Sequence, residues 1–157
     1  MNREIISRYI GQPESLPHDL RAALARAWNG QPVQLYALAD LDHTLKLEQQ
    51  WLALGASHVA VARLGSNGTW EIESVDRARI RSLRDVPGLS ANTLLIVGDE
   101  GAAPLLVVRY TQRQRAAVEN IRFVLDEALT GRSVTLDDAD RVYADAVARP
   151  VRDAQAL

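Results

Sequence analysis

Three groups of side chains in this sequence could carry chemistry. Asp40-Leu41-Asp42-His43-Thr44-Leu45 follows an apolar run from Val33 to Ala39 and sets two carboxylates one residue apart. In a plain loop, Asp40 and Asp42 would instead accept Asx-type hydrogen bonds from nearby backbone N–H groups. Arg77, Arg79 and Arg81 alternate with Ala78 and Ile80, so an extended strand here would put three guanidinium groups on one face. Such a row suits an acidic partner, a phosphate or lipid headgroups. Asp76, Asp85, Glu71 and Glu73 are close enough in sequence to take the same cations as cross-strand pairs. Arg109, Arg113 and Arg115 gather where a strand is expected to turn into a helix. Cations are unfavourable at the positive end of a helix, and a bound anion or acidic partner would remove the conflict. That makes the junction the leading interaction site in the sequence.

Other chemistries are poorly provided for. The 157 residues include no Cys, which removes thiol nucleophiles, iron–sulfur clusters and thiolate zinc sites and suits a reducing compartment. His18, His43 and His58 match no metal-ligand spacing, so neither a metal site nor a cofactor is assigned. Ser66 and Ser90 lack the neighbours of a G-x-S-x-G elbow. Lys46 is the single lysine, and no glycine precedes it in P-loop spacing, so no ATP-binding motif of that kind lies in the chain. Basic and acidic residues nearly balance, 18 against 20, leaving no overall field to attract nucleic acid or an anionic membrane. Trp28, Trp51 and Trp70 are assigned to the core or its rim, because few aromatics interleave with the arginines. Nucleic acid is therefore excluded as a partner and direct lipid binding is disfavoured. Met1 to Gly11 lacks the apolar stretch of a signal peptide. The expected location is the cytoplasm, or the inner face of a membrane if a longer parent chain provides the anchor.

The elements that must position these groups follow from periodicity. An amphipathic helix is predicted over about 15–29, with Leu20, Ala23, Leu24, Ala27 and Trp28 on one face, Pro17 in the first turn and Gly30 as the stop. From Val33 the period shortens to two. Extended segments are expected from Val33 to Ala39, Leu45 to Leu54, His58 to Arg63, Thr69 to Glu73, Ala78 to Leu83, Thr93 to Val97 and Leu105 to Tyr110, with turns at Gly55-Ala56-Ser57, Gly65-Ser66-Asn67-Gly68 and Pro87-Gly88. Seven strands without intervening helices imply an antiparallel sheet, because parallel pairing needs crossovers of a dozen or more residues. Thr111 and Gln114 then form a T-x-x-Q capping box for a helix to about Thr130, with Ala117, Val118, Ile121, Val124, Leu125, Ala128 and Leu129 in one stripe and Gly131 after it. Val118, Ile121, Leu125, Trp70 and Ile72 are expected in one core. Residues 1–132 are read as one domain and 133–157 as a linker helix or tail.

Seven hairpin strands followed by one amphipathic helix is the order of the pleckstrin-homology-like fold. Tyr36-Ala37-Leu38-Ala39-Asp40-Leu41-Asp42, Trp51-Leu52-Ala53-Leu54-Gly55, Gly88-Leu89-Ser90-Ala91-Asn92-Thr93-Leu94 and Arg109-Tyr110-Thr111-Gln112-Arg113-Gln114-Arg115 resemble the N-terminal cytoplasmic domain that some bacterial ABC-type exporters carry. The resemblance spans roughly Glu14 to Arg132. It implies a mainly β, α+β domain: a PH-like seven-stranded antiparallel barrel capped by a C-terminal helix. It further implies a regulatory or docking role without catalysis, and partners among the membrane and nucleotide-binding parts of an ABC-type transporter. The tail after Arg132 would then lead to the first membrane helix. The capping helix lacks the Trp often seen in pleckstrin-homology helices, and the first hairpin is acidic where phosphoinositide binders are basic.

Two alternatives compete with this reading. The Asp40 motif resembles the D-x-D-x-T signature of haloacid-dehalogenase-like phosphatases, which implies Asp40 as nucleophile, Asp42 as general acid/base and Mg²⁺ on the phosphate. That family also uses a later Lys and helices between its strands, and no Lys follows Lys46. The other alternative is a peripheral lipid-surface module using the arginine rows.

Overall fold

The computed structural model describes residues 16–41, 47–99 and 103–132, and side chains over the same ranges except 40, 41, 47 and 48. Asp42, His43 and the expected tail at 133–157 lie outside them. Helix α1 (His18–Ala27) is followed by strands β1 (Leu35–Leu41), β2 (Leu47–Leu54), β3 (His58–Leu64), β4 (Trp70–Asp76), β5 (Ser82–Val86), β6 (Asn92–Val97) and β7 (Leu106–Tyr110), then helix α2 (Arg115–Leu129). The protein is thus α+β and mainly strands, with every strand pairing antiparallel.

The strands form two sheets, β4-β3-β2-β1 and β7-β6-β5, which meet at one register pair, Leu41↔Arg109. The expected closed barrel is not formed: among the described residues β4 and β5 do not pair. The reason lies in the chain between them. Arg77–Arg79 is a one-turn 3-10 helix whose start is capped by Asp76, its carboxylate accepting from Ala78 N–H at 2.9 Å. Ile80 then drops into the core at 3% exposure, and pairing resumes only at Ser82↔Val97. The expected strand from Ala78 to Leu83 is therefore replaced by a turn and a later strand. An aspartate able to satisfy a backbone donor, as Asx turns do, outweighed the alternation of apolar residues.

Two hydrophobic cores divide the interior. Leu35, Ala37 and Ala39 of β1, Leu52 and Leu54 of β2, Val59, Val75, Leu94, Ile96, Leu106 and Val108 face the space between the sheets, closed by Ala117, Val118, Ile121, Val124 and Leu125 of α2. On the opposite face of the four-stranded sheet, Trp51, Ala53, Ala60 and Ala62 receive Leu16, Leu20, Leu24 and Trp28 from the α1 region. Covering both faces explains why Trp51 to Leu54 is apolar without alternation. Trp70 and Ile72 belong to this outer core, so they are not buried with Val118, Ile121 and Leu125 as the sequence suggested. Parity decides it: Ile72 pairs with Ala62, on the α1 side of the sheet.

Small residues let α1 approach. Ala53↔Ala60 and Trp51↔Ala62 are cross-strand pairs, and Gly55 lies under Trp28, where an added Cβ would stand 2.8 Å from the ring. The Trp28 indole N–H donates to Ser74 Oγ at 2.9 Å, and His58 stacks on the ring at 5.9 Å between centroids. α1 ends one residue earlier than Gly30 suggested, with Asn29 in the left-handed region at φ 55° and Gly30 N–H returning to Ala25 O at 2.7 Å.

α2 enters through a 3-10 turn, Gln112–Gln114, and the expected capping box is absent, since no side chain of Thr111 or Gln114 caps the start. Its exit matches expectation: Gly131 at φ +83° donates to Ala128 O at 3.1 Å, and Arg132 N–H to Glu127 O at 2.9 Å. Arg122 ties the helix to the second sheet through an ion pair with Asp85 of β5 and also faces Asp126 at 3.4 Å. Asn120 is buried on the same helix with neither amide atom hydrogen-bonded.

Candidate interaction site

The inner face of the four-stranded sheet changes character along its length. Leu54, Val59 and Val75 are apolar and lie in the core that α2 closes. Further along the same face come Gln50↔Arg63 and Arg63↔Glu71 as direct neighbours, with Val61↔Glu73 beside them. Charged residues continuing an inward-facing row mark where the core opens. Facing them, residues 104–109 complete a cleft of about 400 Å³ lined by Gln50, Arg63, Glu71, Glu73, Leu105 and Arg109, among others. Arg63 Nε donates to Glu71 Oε2 at 2.8 Å across the strands. The Arg109 guanidinium makes no hydrogen bond or ion pair with a described residue.

The junction arginines do not share one setting. Arg109 belongs to this cleft, whereas Arg113 sits exposed on the 3-10 turn and Arg115 opens α2. Arg115 Nε donates to Glu119 Oε1 at 2.7 Å, and that hydrogen bond holds the Arg115 pKa above its ordinary value. One helical turn thus supplies the acid that the sequence reading sought from a partner. Arg113 keeps the exposed position, and among the described residues no carboxylate pairs with it. Tyr110, buried beside the junction, has its phenol pKa raised, first by burial and then by the Glu119 charge.

Arg77, Arg79 and Arg81 also part company, because they lie on a turn and not a strand. Arg77 is half-buried, its Nη1 donating to Gly55 O at 3.0 Å and Ala56 O at 3.2 Å, and burial lowers its pKa. Arg81 Nη1 donates to Ala78 O at 2.8 Å. Both line a groove of about 370 Å³ against Leu125, Ala128 and Leu129 at the end of α2. Arg79 faces a smaller hollow of about 240 Å³ with Asp76 and Asp99.

The remaining candidates are easily placed. Asp40 lies in β1, an antiparallel strand flanked by β2 and β7, so the helix-separated parallel sheet implied by the phosphatase resemblance is not what this chain forms around it. His18 is exposed at the start of α1, and His58 packs on Trp28. Among the described residues no three His, Asp or Glu side chains gather where a metal could sit. Also among them, no helix is long and apolar enough to cross a membrane.

Sequence reasoning missed Gln50, Arg63, Glu71 and Glu73 as walls of a cleft. The signal was present: Arg63 has the parity of Val59 and Val61, and Glu71 and Glu73 have that of Val75. Nearness in sequence to Arg77, Arg79 and Arg81 gives the same glutamates a second set of apparent partners, and only strand pairing decides between them. No family model, curated protein or solved structure matches the chain.

Proposed function

We propose that this chain is a non-catalytic PH-like regulatory or docking module associated with an ABC-type membrane exporter, working at the cytoplasmic face of the membrane. The observation that carries the reading is architectural. Four antiparallel strands, then three, then a helix that closes the space between the sheets is the element order of the pleckstrin-homology-like fold, and the family-like phrases fall on β1, β2, β6 and the β7–α2 junction. The β7–α2 junction offers Arg113 exposed and Arg109 in an open cleft, both suited to bidentate contact with carboxylates. Near balance of charge gives no long-range pull to lipid or nucleic acid, which favours acidic groups of a protein partner. The phosphatase alternative is left without the sheet its motif requires, and purified protein supplied with Mg²⁺ is expected not to turn over a generic phosphomonoester.

The test is association with the exporter. The reading frame carrying this chain, or one co-transcribed with it, should encode membrane spans and a P-loop, and the product should bind the purified chain. Arg113→Ala should leave the thermal midpoint unchanged while weakening that association by roughly an order of magnitude, the size of one charged contact. Absence of any such frame, or no binding by the wild-type chain, sinks the assignment; equal binding by wild type and variant removes the β7–α2 junction as the docking surface, and loss of folding in the variant shows that the arginine is structural.

A further inference from the structure

We infer that the groove between the 3-10 turn and the end of α2 docks a segment of a partner protein in which an aliphatic residue adjoins a carboxylate. The inference deepens the docking reading and rests on its non-catalytic part alone, not on the exporter. One wall is apolar and unfinished. The α2 stripe runs from Val118 through Ile121 and Leu125, all buried, to Ala128 and Leu129, which are exposed, Leu129 by 39%. The stripe continues past the core that accounts for it, and Ile80 and Leu125 form the base of the groove that receives its end.

The other wall is cationic and already ordered. Backbone carbonyls of Gly55 and Ala56 hold the Arg77 guanidinium, and those of Ala78 and Ile80 hold Arg81. A guanidinium has five N–H donors, so each retains donors for a ligand, and fixing the side chain beforehand spares part of the entropy cost of binding. Partial burial of Arg77 strengthens its attraction for an anion relative to an open surface.

Charge separates this groove from the cleft at the other end of the sheet. The cleft sets Glu71 and Glu73 beside Arg63 and Arg109, whereas among the described residues no carboxylate lines the groove. The carbonyls that close α2 are partly engaged by Gly131 and Arg132 N–H groups, which reduces the repulsion a helix C-terminus would exert on an anion. Volume agrees as well: about 370 Å³ lies in the range of small-ligand sites, enough for a short side-chain pair and too little for a folded element.

Titration of the full chain into a fluorescein-labelled synthetic peptide, Gly-Ser-Leu-Asp-Leu-Glu-Gly-Ser, tests the inference by anisotropy. Binding is expected, with loss when the acids become amides or the leucines become alanines. Arg81→Gln and Leu129→Ser should each weaken it about tenfold, one charge-assisted or apolar contact apiece, while Arg113→Ala should not. Leu129→Ser alters an exposed side chain, so it remains informative if Arg81→Gln disturbs the turn. No binding, equal binding of the neutral peptide, or indifference to both variants overturns the inference. Decanoate binding with the same sensitivities, in place of the peptide, would assign the groove to small amphiphiles and overturn it too. Failure of the exporter association leaves these outcomes untouched, so the two readings fall separately.

Discussion

α1 and α2 follow the same amphipathic rule and end in the same way, yet they occupy unlike places. α2 fills the space between two sheets and touches an apolar lining contributed by both. α1 lies on the outside of one sheet, held by a single column of large side chains over alanines. The difference teaches what each helix does for the fold. Removing α2 would open the interior of both sheets, whereas removing α1 would bare one face and leave the strands paired. Stability is therefore expected to be unequal, with α1 as the part that opens locally.

Paired truncations break or confirm that contrast most strongly. Trp28→Ala should cost about 3–5 kcal/mol and Leu125→Ala about 2–5 kcal/mol, both from lost burial and the cavities left behind. The readouts should differ. Hydrogen exchange is expected to show Trp28→Ala loosening α1 while β6 and β7 stay protected, and Leu125→Ala lowering protection throughout. The reverse pattern would mean that α1, not α2, holds the sheets together.

A smaller effect sharpens the α1 side. Gly55→Ala introduces a Cβ into the Trp28 ring and should destabilise by about 1–3 kcal/mol through overpacking. Because Trp28 can yield only by tilting, its fluorescence should shift in that variant; an unchanged spectrum and midpoint would show slack in the outer core. The smallest effect belongs to α2. Asp85→Asn removes one of the two carboxylates that face Arg122, the Asp85 and Arg122 side chains being about one third exposed, and should cost only about 0.2–1 kcal/mol, less still in high salt. A larger loss would make the ion pair, and not the apolar stripe, the chief tie between α2 and the second sheet.

Much of the layout was legible beforehand. Strand alternation and turn residues placed six of the seven strands within a few residues, and the apolar stripe placed α2 on the sheets. What could not be read was which face of a strand each helix covers. Trp70 and Ile72 look like core residues from composition, but only strand pairing reveals that Ile72 adjoins Ala62 beneath α1. The fifth strand failed because Asp76 caps a turn, a local hydrogen bond that competes with alternation. At the interaction site, sequence spacing gathered Arg109, Arg113 and Arg115 into one cluster. It could not show that strand parity sends Arg109 to one cleft while helical spacing gives Arg115 to Glu119.

The single pair Leu41↔Arg109 bears on how the chain reaches this state. Among the described residues every other pairing joins consecutive strands, which find each other across short loops. β1 and β7 alone must meet across most of the domain, where loop-closure entropy is largest and contact order highest. Each sheet can thus assemble from its own hairpins, with their docking as the slow event. α2 follows all seven strands, so during synthesis the facing surfaces of both sheets wait uncovered for it, and that interval is when the chain is most open to aggregation.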